Sequence, residues 1–229
     1  MADRTPLPDS LRRLVAADPG PVRRLAPPTL RSLVAAVWAV CALSLVLALL
    51  GLRSDASPLG SLLTWGPVLI QAALGLLLVV LALGAAVPAR GAGTGLSALA
   101  AGAAFATLIA EAILVRQASA GFPVPDPWLG HGPACVSMTV LFGLSALVLV
   151  AALVVRARPL RVALAAFLSG AGCGVLAEGI YRLHCGITGL RHILIWHLGA
   201  VVLLSLAGLA AGLAWERREA SRMTARLAS

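Results

Sequence analysis

Residues 33–52 read LVAAVWAVCALSLVLALLGL, a run of twenty residues without a charged side chain. A helix of about 20 apolar residues crosses a bilayer hydrocarbon core roughly 30 Å thick. Five more stretches of similar length and apolar composition follow it along the chain, namely residues 67–87, 96–115, 135–155, 162–180 and 193–215. None of the six alternates apolar and polar residues, which argues against a membrane β-barrel. The sequence therefore predicts an all-α, polytopic integral membrane protein with six transmembrane helices.

The composition of the whole chain supports this class. Of its 229 residues, 60% are hydrophobic and 12% are charged, and the mean hydropathy is +0.96. An ordinary soluble domain is about 25% charged, so this chain has too few charges to cover a water-facing surface. Intrinsic disorder is excluded as well, because it requires low hydrophobicity.

The arginines predict how the bundle is oriented. All 18 basic residues are arginines, and six crossings put 14 of them on the side of both termini and four on the opposite side. Because basic residues collect on the cytoplasmic side, both termini are predicted to be cytoplasmic, in a bacterial inner membrane. The organisation is then a cytoplasmic N-terminal segment (1–32), a six-helix bundle (33–215) and a basic cytoplasmic tail (216–229).

The N-terminal segment has the pattern of a short amphipathic helix. Asp9 or Ser10 can cap a helix that carries Leu11, Leu14 and Val15 on one face. Such a helix either docks into the groove of a protein partner or lies on the lipid surface, and the residues alone leave both open.

The chain contains no catalytic motif, so we predict no catalytic residue and no enzyme. It has no phosphate-binding glycine-rich loop, no His-Glu-x-x-His, no Cys-x-x-Cys and no Gly-x-Ser-x-Gly. Two small-residue patterns, Gly170-x-x-x-Gly174 and Gly208-x-x-x-Gly212, lie in apolar stretches and predict close helix packing.

The polar residues in or near the predicted helices gather at one depth, opposite the termini. They include all four histidines, both carboxylates within the spans and two of the four cysteines. Glu178 and Arg182 are four residues apart, which predicts an ion pair at a helix end. The full set is Glu111, Arg116, His131, Cys135, Glu178, Arg182, His184, Cys185, Arg191, His192 and His197.

Cys135 and Cys185 have three competing interpretations. Both lie at helix ends on the predicted periplasmic side, where disulfides persist, so a permanent structural disulfide is the first. A reversible redox switch is the second, because the neighbouring Arg182 and His184 favour a thiolate. A soft metal ion such as Zn or Cu is the third, with a possible ligand set of His131, Cys135, His184, Cys185 and His192.

Two stretches resemble the NrsF family of membrane anti-sigma factors. They are residues 11–31, LRRLVAADPGPVRRLAPPTLR, and residues 181–200, YRLHCGITGLRHILIWHLGA. The second holds the His184–Cys185 pair between the last two predicted spans, and Cys135 stands ahead of the fourth. With the six apolar spans, the resemblance extends over nearly the whole chain.

The resemblance implies a function. Members of this family hold an extracytoplasmic-function sigma factor inactive at the cytoplasmic face, and two outward-facing cysteines take part in sensing. Cys135 and Cys185 are therefore the expected redox or metal sensor, in a stress response that does not involve direct contact with nucleic acid. The sigma factor is expected to dock on apolar residues of the N-terminal segment, namely Leu11, Leu14, Val15, Val22 and Leu25.

Two functions of other classes compete with this expectation. A membrane thiol oxidoreductase would exchange electrons between cysteine pairs, but Cys41 and Cys173 are separate and lie within spans. A small metal or solute transporter would use Glu111, Glu178 and the histidines. It would need polar residues through the whole membrane depth, and the inner halves of these spans have almost none.

Overall fold

The computed structural model describes residues 25–87, 93–119, 131–157, 159 and 161–228. Of the residues predicted to bind the sigma factor, Leu11, Leu14, Val15 and Val22 lie outside these ranges. Leu25 precedes the first helix and is exposed.

Six helices in the described ranges are long and apolar enough to cross a membrane, which confirms the predicted fold class. The first follows a helical turn at Pro28–Arg31, and the last follows a helical turn at Leu190–His192 and a π-helical turn at Ile193–Leu198. We name the six α1 (Leu33–Leu49), α2 (Ala56–Ala85), α3 (Thr94–Ala118), α4 (Gly132–Arg156), α5 (Val162–Arg182) and α6 (Gly199–Ala228). No strand occurs among the described residues.

Helix α5 is the centre of the bundle. Its residues from Leu168 to Arg182 are buried without a break, and α2, α4 and α6 pack around it. The sequence permits this position because α5 is rich in glycine and alanine, whose small side chains let neighbouring backbones approach closely. A Cβ atom added to Gly172 would lie 2.8 Å from the carbonyl oxygen of Gly75 on α2.

The two small-residue patterns form the contact between α5 and α6. A Cβ atom on Gly174 would lie 3.2 Å from the Cα atom of Val201, and one on Gly212 would lie 2.6 Å from that of Ala163. Gly170 and Gly208 likewise face backbone atoms of the opposite helix. The prediction that these glycines allow close helix packing is confirmed.

The bundle has two ends of different chemistry. The termini of the described chain and the α4–α5 connection lie at one end, where the Ala163 amide donates to Glu216 Oε1 (2.9 Å). Arg31 donates there to the carbonyl oxygen of Leu153. The opposite end holds the α1–α2 and α5–α6 connections and both Cys135 and Cys185, and we call it the cysteine end.

Candidate functional site

Connections at the cysteine end are tied to one another by hydrogen bonds. The backbone amide of Arg53 donates to the carbonyl oxygen of Leu183 (2.7 Å), and Ser119 Oγ donates to Thr188 Oγ1 (2.9 Å). His184 Nδ1 lies 3.2 Å from the carbonyl oxygen of Gly51, which ends α1 at a φ of 77° that favours glycine. These bonds hold the 183–189 loop against the ends of α1 and α3.

Cys135 and Cys185 meet inside this end. Cys135 lies in the first turn of α4, and Cys185 lies in the loop after α5. Their Sγ atoms are 3.8 Å apart, and the residues are 3% and 6% exposed. Tyr181, Ile187 and Trp196 pack around them.

Two histidines complete a group of four buried donors. His192 Nε2 lies 3.6 Å from Cys185 Sγ, and His197 also contacts Cys185. One potential ligand atom from each of Cys135, Cys185, His192 and His197 lies within 4.8 Å of the others. We call these four residues the Cys/His group.

The π-helical turn explains why both histidines face the cysteines. In an α-helix of about 3.6 residues per turn, positions five apart point about 140° away from each other. A π-helical turn is wider, because it is closed by i to i+5 hydrogen bonds, so positions five apart come to the same side. Ile193–Leu198 is such a turn, and the ring centroids of His192 and His197 are 5.4 Å apart.

The donor types and spacings fit a four-coordinate soft or borderline metal ion. Two thiols and two imidazoles are a common structural zinc set, with Zn–S near 2.3 Å and Zn–N near 2.0–2.1 Å. Tetrahedral angles then give S···S and S···N edges of about 3.8 and 3.6 Å. The Cys135–Cys185 and Cys185–His192 separations are 3.8 and 3.6 Å. The same two sulfur atoms, 3.8 Å apart, are also the neighbours that an oxidant would join in a disulfide.

Cys185 is set apart from an ordinary thiol by its neighbours. A hydrogen bond from Cys135, followed by contacts with His192 and His197, lowers the pKa of the Cys185 thiol against the opposing effect of burial. Because the thiolate is both the nucleophile and the metal ligand, we expect Cys185 to react before Cys135.

A buried carboxylate lies directly beneath the Cys/His group. Glu178 Oε1 is 3.5 Å from Arg182 Nη1 and 3.5 Å from His197 Nδ1. On the other side of Glu178, the Gln71 side chain of α2 packs against Gly179 and donates to Glu111 Oε2 of α3. The pair predicted from the sequence, Glu178 and Arg182, is thus part of a longer buried polar network.

The structure brings together only some of the residues in the predicted ligand set. Cys135, Cys185 and His192 lie in the Cys/His group, whereas His131 is exposed at the start of α4 and His184 is turned toward Gly51. The sequence interpretation left His197 out of that set. His197 is five residues after His192, and residues five apart in a regular α-helix point in different directions. The sequence therefore offers no reason to group the two histidines.

Comparison with known proteins identifies the family. The family model described as NrsF, negative regulator of sigma F, matches residues 15–217. The chain belongs to the NrsF family. This match includes all four residues of the Cys/His group and nearly all of the six helices, and the family name implies a sigma factor as partner. No curated protein and no solved structure matches the chain.

Proposed function

We propose that this NrsF protein is a membrane anti-sigma factor that releases its sigma factor when the chemistry of Cys135 and Cys185 changes. The partner is an extracytoplasmic-function sigma factor, and no catalysed reaction is involved. One observation carries the proposal: the Cys/His group and the described chain termini lie at opposite ends of the bundle. Detection and partner binding are thus separated by the thickness of a membrane.

The orientation is part of the proposal. Fourteen arginines belong to the side of the termini and four to the cysteine end, which supports cytoplasmic termini and a periplasmic Cys/His group in a bacterial inner membrane. The basic tail then contacts anionic lipid headgroups on the cytoplasmic side.

The sigma factor docks on the N-terminal segment. An amphipathic helix that inserts apolar residues into a groove is a common mode of protein recognition, and this segment has the required spacing. The contacts that we propose are Leu11, Leu14, Val15, Val22 and Leu25.

Helix α5 supplies a physical connection between the two ends. Cys135 belongs to α4, Cys185 follows α5 and both histidines precede α6, so any ligand or bond that joins them changes how three packed helices meet. A stimulus shifts a two-state equilibrium only by its differential affinity for the two states. About 5.5 kcal/mol moves such an equilibrium from 1:99 to 99:1.

Capture of a soft metal ion and oxidation to a disulfide are the two stimuli that this group supports. Both act on the same two sulfur atoms. The presence of two imidazole donors beside them favours the metal, because a disulfide needs neither histidine.

Release of the partner from the purified complex tests the proposal. The full-length protein is purified in detergent with its bound cytoplasmic partner, which mass spectrometry identifies, and is then treated with Zn²⁺, Cu⁺ or diamide. We expect a sigma factor in the parent complex, its release on treatment with at least one of these reagents, and no release from Cys135→Ser or Cys185→Ser. Cys41→Ser is the matched control and should respond like the parent.

A second comparison tests the docking segment. Deletion of residues 1–24 should abolish recovery of the sigma factor while the six helices still insert. The proposal is wrong if the intact protein recovers no sigma factor, or if both sensor cysteine variants release it as the parent does.

A further inference from the structure

Glu178 lies next to the Cys/His group, and its contacts go beyond an ion pair with Arg182. It is 1% exposed, and its Oε1 atom is shared between Arg182 Nη1 and His197 Nδ1 at 3.5 Å each. A salt bridge at a helix end would need only Arg182. The carboxylate instead lies between a guanidinium and the ring of a group member.

Metal-bound histidines have a recurring partner. The ring nitrogen that does not bind the metal usually donates its N–H to a carboxylate, which fixes the tautomer and the orientation of the ring. His197 is placed for this arrangement, because its Nδ1 atom lies 3.5 Å from Glu178 Oε1, an ion-pair distance without a formed hydrogen bond, and the ring also contacts Cys185. A proton on Nδ1 leaves the lone pair on Nε2, which has no other hydrogen-bond partner among the described residues.

We propose that Glu178 is the positioning residue of this site: it accepts the Nδ1–H of His197 and thereby presents Nε2 as the fourth metal donor. The ligand is a four-coordinate soft or borderline cation of the Zn²⁺ class, bound by Cys135, Cys185, His192 and His197. This inference rests on the proposed function, since it assigns the ligand set through which the sensor detects a metal.

The charges around the site agree with this assignment. Two thiolates and two neutral imidazoles neutralise a divalent cation, so the loaded group adds no net charge to the apolar bundle. Arg182, itself buried, neutralises Glu178 and contacts the same Oε1 atom as His197. Without Arg182, the carboxylate would be a lone buried charge, which is costly in a membrane.

Cobalt binding to the full-length protein in detergent provides the first test. Co²⁺ is the probe because thiolate ligation gives it an absorption band. We expect Glu178→Gln to weaken Co²⁺ binding about 10–100-fold, the usual cost of losing such a partner. The band at saturation should keep its intensity because both thiolates remain. Glu178→Asp, which keeps the carboxylate, should bind Co²⁺ with intermediate affinity.

Glu219→Gln is the matched control for this change. Glu219 is exposed at the opposite end of the bundle, where it pairs with Arg222 (2.9 Å), so its loss should leave Co²⁺ affinity unchanged. Circular dichroism and size-exclusion chromatography verify that each variant keeps its helices. If Glu178→Gln binds Co²⁺ within twofold of the parent, the positioning role is wrong.

The tautomer of His197 gives a second test. It is measured in the parent protein, so it does not depend on whether a Glu178 variant folds. The protein has four histidines, so ¹⁵N-histidine labelling gives few signals, and His197→Asn identifies the one from His197. In metal-free parent protein we expect Nδ1 to carry a proton, in either the neutral ring or the imidazolium. An Nε2–H tautomer would overturn the proposal.

The two proposals fail in different ways. If the parent releases its sigma factor with diamide but binds no Co²⁺, the anti-sigma function stands and the metal site is wrong. If the parent binds Co²⁺ but carries no sigma factor, the proposed function is wrong and the site stands.

Discussion

His192 and His197 lie five residues apart, yet their rings meet at 5.4 Å on one side of the sixth membrane-spanning segment. The π-helical turn at Ile193–Leu198 makes this possible. Such turns are equivalent to one extra residue in an α-helix and occur frequently at functional sites. In this NrsF protein, the π-helical turn places both imidazole rings on the side that faces Cys185.

Deletion of one residue tests the π-helical turn. Ile195 lies within it and is 47% exposed. Its deletion should convert the turn to α-helix, in which the two histidines become four residues apart and still share a face. We therefore expect the variant to keep its helical content and its Co²⁺ binding, measured by circular dichroism and absorption.

Leu203 provides the matched control for this deletion. It has similar exposure (53%) but lies in regular α-helix, so its removal rotates everything after it by about 100°. The Gly208 and Gly212 contacts with α5 would be lost, and we expect the protein to be unstable in detergent. Equal effects of the two deletions would contradict this account of the turn.

The lowered pKa of Cys185 predicts how its reactivity depends on pH. An ordinary thiol, with a pKa near 8.5, loses thiolate about tenfold per pH unit below that value. Because the pKa of Cys185 is lowered, its thiolate fraction changes less over this range. In chelator-treated protein, alkylation of Cys185 by iodoacetamide should therefore vary little between about pH 6 and 8.

The cause of that shift can be tested separately. Cys135 makes the largest contribution that lowers the pKa of Cys185. Cys135→Ala should therefore make the alkylation rate at Cys185 rise more steeply with pH, as followed by mass spectrometry of the Cys185 peptide. An unchanged profile in this variant would assign the shift to the histidines instead.

The contact between α5 and α6 predicts an effect of a single methyl group. A Cβ atom on Gly208 would lie 3.0 Å from the carbonyl carbon of Ala166 and closer still to its oxygen, and both are rigid backbone atoms of α5. Gly208→Ala should lower the free energy of unfolding by about 1–3 kcal/mol, the usual cost of overpacking. Thermal unfolding in detergent measures the difference.

Gly102 is the control for this substitution. A Cβ atom on it would meet nothing within 4 Å, since it lies on an open face of α3. Gly102→Ala should be neutral or stabilising by up to about 1 kcal/mol, because alanine favours the helix. A loss of stability equal to that of Gly208→Ala would contradict the packing argument.

The buried Gln71–Glu111 pair predicts strong coupling between two substitutions. Gln71→Leu removes the donor and leaves the Glu111 carboxyl group buried without it, which should cost about 1–3 kcal/mol. Replacing both partners by leucine removes the unsatisfied group as well. The double variant should therefore be more stable than Gln71→Leu alone. Additive losses would show that the two side chains act independently.

The sequence determined the architecture, because crossing a membrane leaves few solutions. Six apolar stretches of about 20 residues require six helices, and their glycine patterns predict close packing between helices without naming the partners. The sequence also placed the polar residues of the spans, including all four histidines, at one end of the bundle. Periodicity is enough for these conclusions, since each depends on residues close together in the chain.

Only the tertiary structure decided the membership of the Cys/His group. Cys135 and Cys185 are fifty residues apart, and the packing of α4 against α5 brings their sulfur atoms to 3.8 Å. His197 joins them through one π-helical turn, and Glu178 reaches His197 across the contact between α5 and the sixth span. These contacts between side chains of different helices depend on how each helix is rotated about its axis and on local departures from α-helical geometry. Neither is encoded in a regular hydrophobic repeat, because a shift of one residue turns a side chain by about 100°.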